Sequence, residues 1–295
     1  MKLDILAFGA HPDDVELGAG GTIAKEISLG KTVGIIDLTQ GELGTRGSAE
    51  IRHQEATKAK ELLGVVVREN LKFRDGFFVN DEAHQLAIIK KIRQYQPDIV
   101  LCNAIDDRHI DHGKGSKLVS DACFLSGLRR IETTLDGKAQ SAWRPKVVYH
   151  YIQWKNIIPD FVVDITGFME AKVNAVLAYS SQFYDSNSNE PTTPISDRNF
   201  LDSVTYRARD LGRLIGTDFA EGFTCERVAA VDTLFNLITI GILLLCVGGM
   251  AIKIWGKKGG KFAGTCASQN PHLNPEGEPC SFCGRMPDEQ ECRNK

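Results

Sequence analysis

Two short stretches hold most of the residues that can do chemistry. One reads His11-Pro12-Asp13-Asp14, the other Asp106-Asp107-Arg108-His109-Ile110-Asp111-His112. Adjacent carboxylates repel each other unless a cation neutralises one, and imidazole with carboxylate at this spacing can grip a borderline metal such as Zn2+. A catalytic zinc site takes three protein ligands and keeps one position open for water. His11, Asp14 and His112 meet that count and leave Asp13, His109 and Asp111 for proton transfer. The chemistry this set supports is hydrolysis by a metal-activated water. A single His-Asp pair is commonly a helix cap, but two such clusters on loops that share one crevice are not explained that way.

Hydrophobic patterning says how the two loops are positioned. Apolar runs at 3–9, 33–39, 99–103, 147–152 and 161–165 predict buried strands. Helical patterns fall at 18–29 after a Gly-rich turn, 48–63 with a stop at Gly64, 88–95, 169–179 and 200–214. The alternation predicts an α/β fold, a Rossmann-like, mostly parallel sheet with helices on both faces. Such sheets place ligands beyond the carboxyl ends of their strands, here the loops after Gly9, Thr39 and Asn103. The long loop 180–199 is expected to form a lid or substrate wall. A dinucleotide site is excluded, although Gly18-Ala19-Gly20-Gly21 and Asp37 hint at one. The third fingerprint glycine would fall at Ile23, and the first turn would put two carboxylates against a pyrophosphate.

With 35 Lys and Arg against 38 Asp and Glu, the 295-residue chain has a net charge of -3 and no basic stripe, so nucleic acid is not an expected partner. Met1 to Ala10 has neither a basic n-region nor a long apolar h-region, so a cytoplasmic catalytic domain is expected. Scattered Cys102, Cys123, Cys225 and Cys246 read as buried small hydrophobes in a reducing compartment. At Thr233 the character changes, because the twenty residues through Ile252 carry no charge. As a helix they would extend about 30 Å, the thickness of a bilayer's hydrocarbon. Residues 1–231 are thus expected as the catalytic domain, 233–255 as a transmembrane helix that anchors it, and 256–295 as a polar tail. Cys266, Cys280, Cys283 and Cys292 in that tail fit either a zinc knuckle or two disulfides. Lys253, Lys257, Lys258 and Lys261 favour a cytoplasmic tail, which conflicts with a cytoplasmic catalytic domain and leaves the tail's side open. Whether the tail is a selected anchor or a fused neighbouring protein is equally open, as is a homo-oligomer. A membrane-tethered scaffold with the knuckle as its working part is the alternative function, and truncation at Val231 discriminates the two.

The pair His11-Pro12-Asp13-Asp14 and His109-Ile110-Asp111-His112 resembles the PIG-L/LmbE-type family of zinc N-acetylglucosamine deacetylases. The likeness runs over residues 3–231, through Gly41-Glu42-Leu43, Ile51-Arg52, Phe161-Val162-Val163-Asp164-Ile165, Ser181-Gln182-Phe183 and Ala220-Glu221-Gly222-Phe223. It is similar to the branch that deacetylates N-acetylglucosaminyl malate in bacillithiol synthesis, which implies that sugar conjugate, or another N-acetylglucosamine conjugate, as substrate. The resemblance implies His11, Asp14 and His112 as zinc ligands and Asp13 as general base. It also implies His109 as an electrostatic and acid partner oriented by Asp111, and Arg52 as a substrate-binding group. Ile110 stands where the family commonly has Pro. Phe200 stands near the place of an oxyanion-binding Tyr; Tyr184 in the same loop is a candidate replacement, with a packing role as the alternative.

Overall fold

The computed structural model describes residues 1–186 and 188–228. The expected span and the four tail cysteines lie outside the described residues; among those described, no helix is long and apolar enough to cross a membrane. Strands β1 (Ile5–Gly9), β2 (Val33–Thr39), β3 (Val67–Phe73) and β4 (Ile99–Cys102) interleave with helices α1 (Asp14–Ser28), α2 (Ala49–Leu63) and α3 (Glu82–Tyr95). Helix α4 (Ile110–Ser126), a hairpin of β5 (Thr134–Leu135) and β6 (Lys138–Ala139), β7 (Val147–Tyr151) and β8 (Phe161–Asp164) follow. Helices α5 (Met169–Leu177) and α6 (Arg198–Arg213) and strand β9 (Ala220–Cys225) complete the unit.

The main sheet runs β3-β2-β1-β4-β7-β9-β8. Its first five strands are parallel, and β9 runs antiparallel to both β7 and β8. The expected mostly parallel sheet is therefore present, with an antiparallel edge that the sequence did not announce. Chain direction of travel reverses between β1 and β4, and at such a switch point the loops leaving the two strands diverge to open a crevice. The loops leaving β1 and β4 are the two motif loops. Within β1 the side chains alternate between faces: Leu6 and Phe8 join the core beneath α3 and α4, whereas Ile5 and Ala7 join Val15, Ala19 and Ile23 of α1 on the other face.

Two corrections concern the segment after β1. Helix α1 starts at Asp14 rather than after the Gly-rich stretch, and Gly18 to Gly21 lie inside it. A Cβ on Gly18 would collide with the Tyr151 ring and one on Gly21 with Ile165, so these glycines let α1 sit close on its neighbours. Asp37, the acid of the excluded dinucleotide site, is gripped by Arg68 through Nε and Nη2 at 2.9 Å each. Arg68 Nη1 also pairs with Glu16, which accepts the Tyr179 hydroxyl at 3.0 Å. Removing one member of a buried ionic network leaves its partners' charge uncompensated, a loss of about 3–5 kcal/mol. Arg68→Met is expected to lose stability of that order, read as a lowered urea midpoint with an unchanged slope.

Candidate active site

Strand β1 ends at Gly9, and the chain turns through His11 to Asp13 before α1 begins. Asp13 caps the helix at φ 119°, a conformation that L residues rarely adopt, and it is buried. Arg52 of α2 holds it there. One guanidinium nitrogen, Nη2, donates to Asp13 Oδ2 at 2.9 Å and also to the Pro12 carbonyl. Gly41, at φ +63°, lies against the same guanidinium, where a Cβ would collide with Nη1. Burial pushes the Asp13 carboxyl up to about 7, while the Arg52 charge pulls the other way. Arg52, expected as a substrate-binding group, lines the cleft and is buried and committed in part to Asp13.

The two motif loops meet around Asp14. Its Oδ2 lies 3.5 Å from His11 Nδ1 and its Oδ1 lies 3.1 Å from His112 Nε2. Neutral donors fix that carboxylate in place. Oδ2 accepts the His11 backbone N–H at 2.9 Å and Asn103 Nδ2 at 3.0 Å, and Oδ1 accepts Gln153 Nε2 at 2.8 Å; Asn103 itself is pinned by the Ala10 N–H. Each imidazole then has an acid behind it. His112 Nδ1 lies 2.6 Å from Asp107 Oδ2, and His11 Nε2 lies 3.1 Å from Asp75 Oδ1 and 3.4 Å from Asp111 Oδ2. A carboxylate behind a ring nitrogen holds the proton there and frees the other nitrogen for a metal. The free nitrogens are His11 Nδ1 and His112 Nε2, and both face Asp14.

The electrostatics agree. Burial disfavours the imidazolium at His11, yet hydrogen bonds to Asp111, Asp14 and Asp75 outweigh it and hold the ring well above its ordinary value. At His112 burial is likewise outweighed, by the Asp14 charge and the Asp107 hydrogen bond, to about 9. Burial would raise Asp14, but the adjacent His112 holds it well below the carboxylate range. A buried carboxylate between two imidazoles that all draw positive charge is the donor chemistry of a divalent-metal site. Donor atoms of His11, His109 and His112 lie within 4.8 Å of one another, as do those of His11, Asp75 and Asp111, so the described residues contain candidate metal groupings around His11.

His109 sits beside them, its ring 4.5 Å from that of His11 and 5.2 Å from that of His112. It caps α4 by accepting the Asp111 N–H on Nδ1 at 3.3 Å. The resemblance implies that Asp111 orients His109, but the contact between them runs through the Asp111 N–H rather than its carboxylate. That carboxylate faces His11, accepts the Gly76 N–H at 2.7 Å and pairs with Lys114 at 3.1 Å. The geometric reason is that the helix's own N–H satisfies Nδ1, which sets the neutral tautomer with its proton on Nε2. Burial, then the charges on His11 and His112, lower the His109 pKa.

The cluster forms the floor of a cleft of about 960 Å³ walled by Thr193, Pro194 and Phe200, so the long loop is a wall of the cleft. Tyr184 is not among the residues lining it and is part-exposed, so the structure does not bring that expected oxyanion donor to the site. Sequence reasoning gave no role to Asp75, Asp107, Asn103 or Gln153. Asp107 stood inside the second motif and was the most findable; Asp75 and Gln153 follow other strands and carry no local signal. Because outer partners of metal-ligating His tune affinity about 10- to 100-fold, Asp107→Asn is expected to weaken metal binding by that order, measured by competition with a chromophoric chelator.

Comparison with known proteins places this architecture. The family model described as PIG-L, GlcNAc-PI de-N-acetylase, matches residues 6–123. A diacetylchitobiose deacetylase of Thermococcus kodakarensis is 30% identical over 189 residues, covering 61% of this chain and 70% of that protein. The crystal structure of a conserved protein from Thermus thermophilus matches at a TM-score of 0.68 and 34% identity, over 78% of this chain and 98% of its own. The N,N'-diacetylchitobiose deacetylase of Pyrococcus horikoshii, complexed with its inhibitor, matches at 0.66 and 28%, over 79% and 88%. Fold and relatives together define an amide-hydrolysing deacetylase. The chain belongs to the PIG-L family.

Proposed function

We propose that this enzyme hydrolyses the N-acetyl group of an N-acetylglucosaminyl conjugate, with N-acetylglucosaminyl malate of bacillithiol synthesis as substrate and a zinc ion on His11, Asp14 and His112. The observation that carries it is the placement of Asp13, a buried carboxylate pushed up to about 7, directly beside an Asp14 flanked by two imidazoles. Zinc, when bound, supplies a Lewis acid for the acetyl carbonyl and acidifies water. Asp13 takes the proton of the attacking water and delivers it to the amine nitrogen as the C–N bond breaks and acetate forms. Arg52 holds the Asp13 carboxylate through Oδ2, leaving Oδ1 for that proton. His109 needs no positive charge for its part, because its Nε2–H can donate to the developing oxyanion while the ring is neutral.

Amine release from N-acetylglucosaminyl malate, N-acetylglucosamine and N-acetylglucosaminyl inositol tests the assignment. Turnover is expected on the malate conjugate above the other two. Turnover confined to the inositol conjugate would replace the aglycone, and none on any of the three would refute the substrate class.

A further inference from the structure

The residue after Gln153 organises a second feature of the cleft. Trp154 follows the residue that holds Asp14, and its backbone N–H and that of Lys155 donate to Asp107 at 3.3 and 2.9 Å. Its position is thereby locked to the carboxylate behind His112. The indole stacks on Phe200 with centroids 5.3 Å apart and planes 14° apart, and Phe200 stacks in turn on Phe183 at 5.9 Å. On this base sit two cations that line the cleft. The Arg108 guanidinium lies over the Trp154 ring at 4.6 Å, and Arg207 of α6 donates through Nη2 to the Trp154 carbonyl.

Nearby acids are already committed. Asp106 pairs with Lys155 at 2.7 Å, and Asp107 is taken by His112 and by backbone N–H groups. Among the described residues neither Arg108 nor Arg207 makes an ion pair. Arg207 is half-buried, and that burial lowers its pKa against the field of Asp107. The hydrogen bond that Arg207 makes goes to a neutral carbonyl, and a partly buried guanidinium held that way gains from meeting an anion. Two guanidinium groups held against one tryptophan and lining the cleft can meet an anion with charge-assisted hydrogen bonds.

We propose that Arg108 and Arg207 form an anion subsite at the cleft wall that binds a carboxylate or phosphate on the aglycone of the substrate. The inference rests on the enzyme acting on an N-acetylglucosaminyl conjugate, and it places recognition of the aglycone at the Trp154 corner. It makes anionic conjugates the preferred class.

The test has a binding arm that does not depend on turnover. Calorimetry on the full chain compares glucosaminyl malate, glucosamine 1-phosphate and neutral methyl glucosaminide, the deacetylated forms, while amine release is followed on the acetylated malate conjugate and methyl N-acetylglucosaminide. At least one anionic ligand is expected to bind about 10- to 100-fold more tightly than the neutral one, and Arg108→Gln or Arg207→Gln to abolish that preference while leaving the neutral ligand unchanged. Whether malate or phosphate gains more names the anion. Equal affinity for all three ligands, or equal losses on charged and neutral ones in Arg108→Gln, overturns the subsite. Arg108 is exposed, so its variant decides the matter if Arg207→Gln unfolds. A binding preference without amine release would refute the deacetylation of this substrate and leave the subsite standing; amine release without any anionic preference would do the reverse.

Discussion

Asp13→Asn is expected to keep its metal and lose about 100- to 10,000-fold in kcat, the usual effect of removing a general base. The amide has the shape of the carboxylate and can still accept from Arg52 through its oxygen, so the helix cap at φ 119° and the neighbouring Asp14 should be undisturbed. What it lacks is the ability to take a proton. KM should change little, because the role proposed for Asp13 is toward the water and the leaving amine rather than the ground-state sugar. The measurement is amine release under saturating substrate, with zinc analysed on the same sample. Near-wild-type turnover in a metal-loaded variant would move the base to another group. A sample that lost both metal and activity would instead make Asp13 part of the ligand set. Arg52→Lys separates the two influences on Asp13, since it keeps a positive charge on a shorter side chain without the Nη2 that donates to both Asp13 and the Pro12 carbonyl.

How far the sequence disclosed this site depends on where the residues sit along the chain. The meeting of His11, Asp14 and His112 was legible because each lies in a dense local cluster of side chains able to bind a metal, and strand-end positions for both clusters followed from the apolar runs before them. The partners that orient them were not. Asp75 lies in the loop after β3, and β3 itself went unrecognised because Arg68, Glu69, Asn70 and Lys72 interrupt its apolar positions. Only the folded chain shows that Arg68 serves Asp37 and Glu16 from within that strand. Helix α4 escaped for a related reason: its start carries the second motif and Gly113 and Gly115, residues chosen for the site rather than for helical propensity. In strand β9, Glu221 reaches back to the Gly21 and Thr22 N–H groups of α1, a contact across 200 and 199 positions that no local pattern encodes. The expected Asp111-to-His109 pairing failed on geometry that sequence proximity conceals. Two residues apart at a helix start, the pair meets through the Asp111 backbone N–H while the carboxylate turns toward His11.

His11→Ala, Asp14→Ala and His112→Ala should each empty the catalytic metal site, with losses larger than the roughly 10- to 100-fold expected of an outer partner such as Asp107. Asp14 is the sharpest case. It faces both inward nitrogens, and without its charge the two imidazoles lose the carboxylate between them. Total zinc alone is an ambiguous readout in the full chain, because Cys266, Cys280, Cys283 and Cys292 would bind a second ion if they form a zinc knuckle rather than two disulfides. Cobalt substitution resolves the two, since thiolate-bound cobalt shows a sulfur-to-metal charge-transfer band and a His and carboxylate site does not. The expected result is loss of the nitrogen-oxygen cobalt signal in all three variants, with any thiolate signal unchanged. His109→Ala is the control that separates the geometries around His11: it should retain the ion if Asp14 is the third ligand. Loss of cobalt in His109→Ala with retention in Asp14→Ala would place the metal among three imidazoles, and retention in two of the three primary variants would remove His11, Asp14 and His112 as the ligand set.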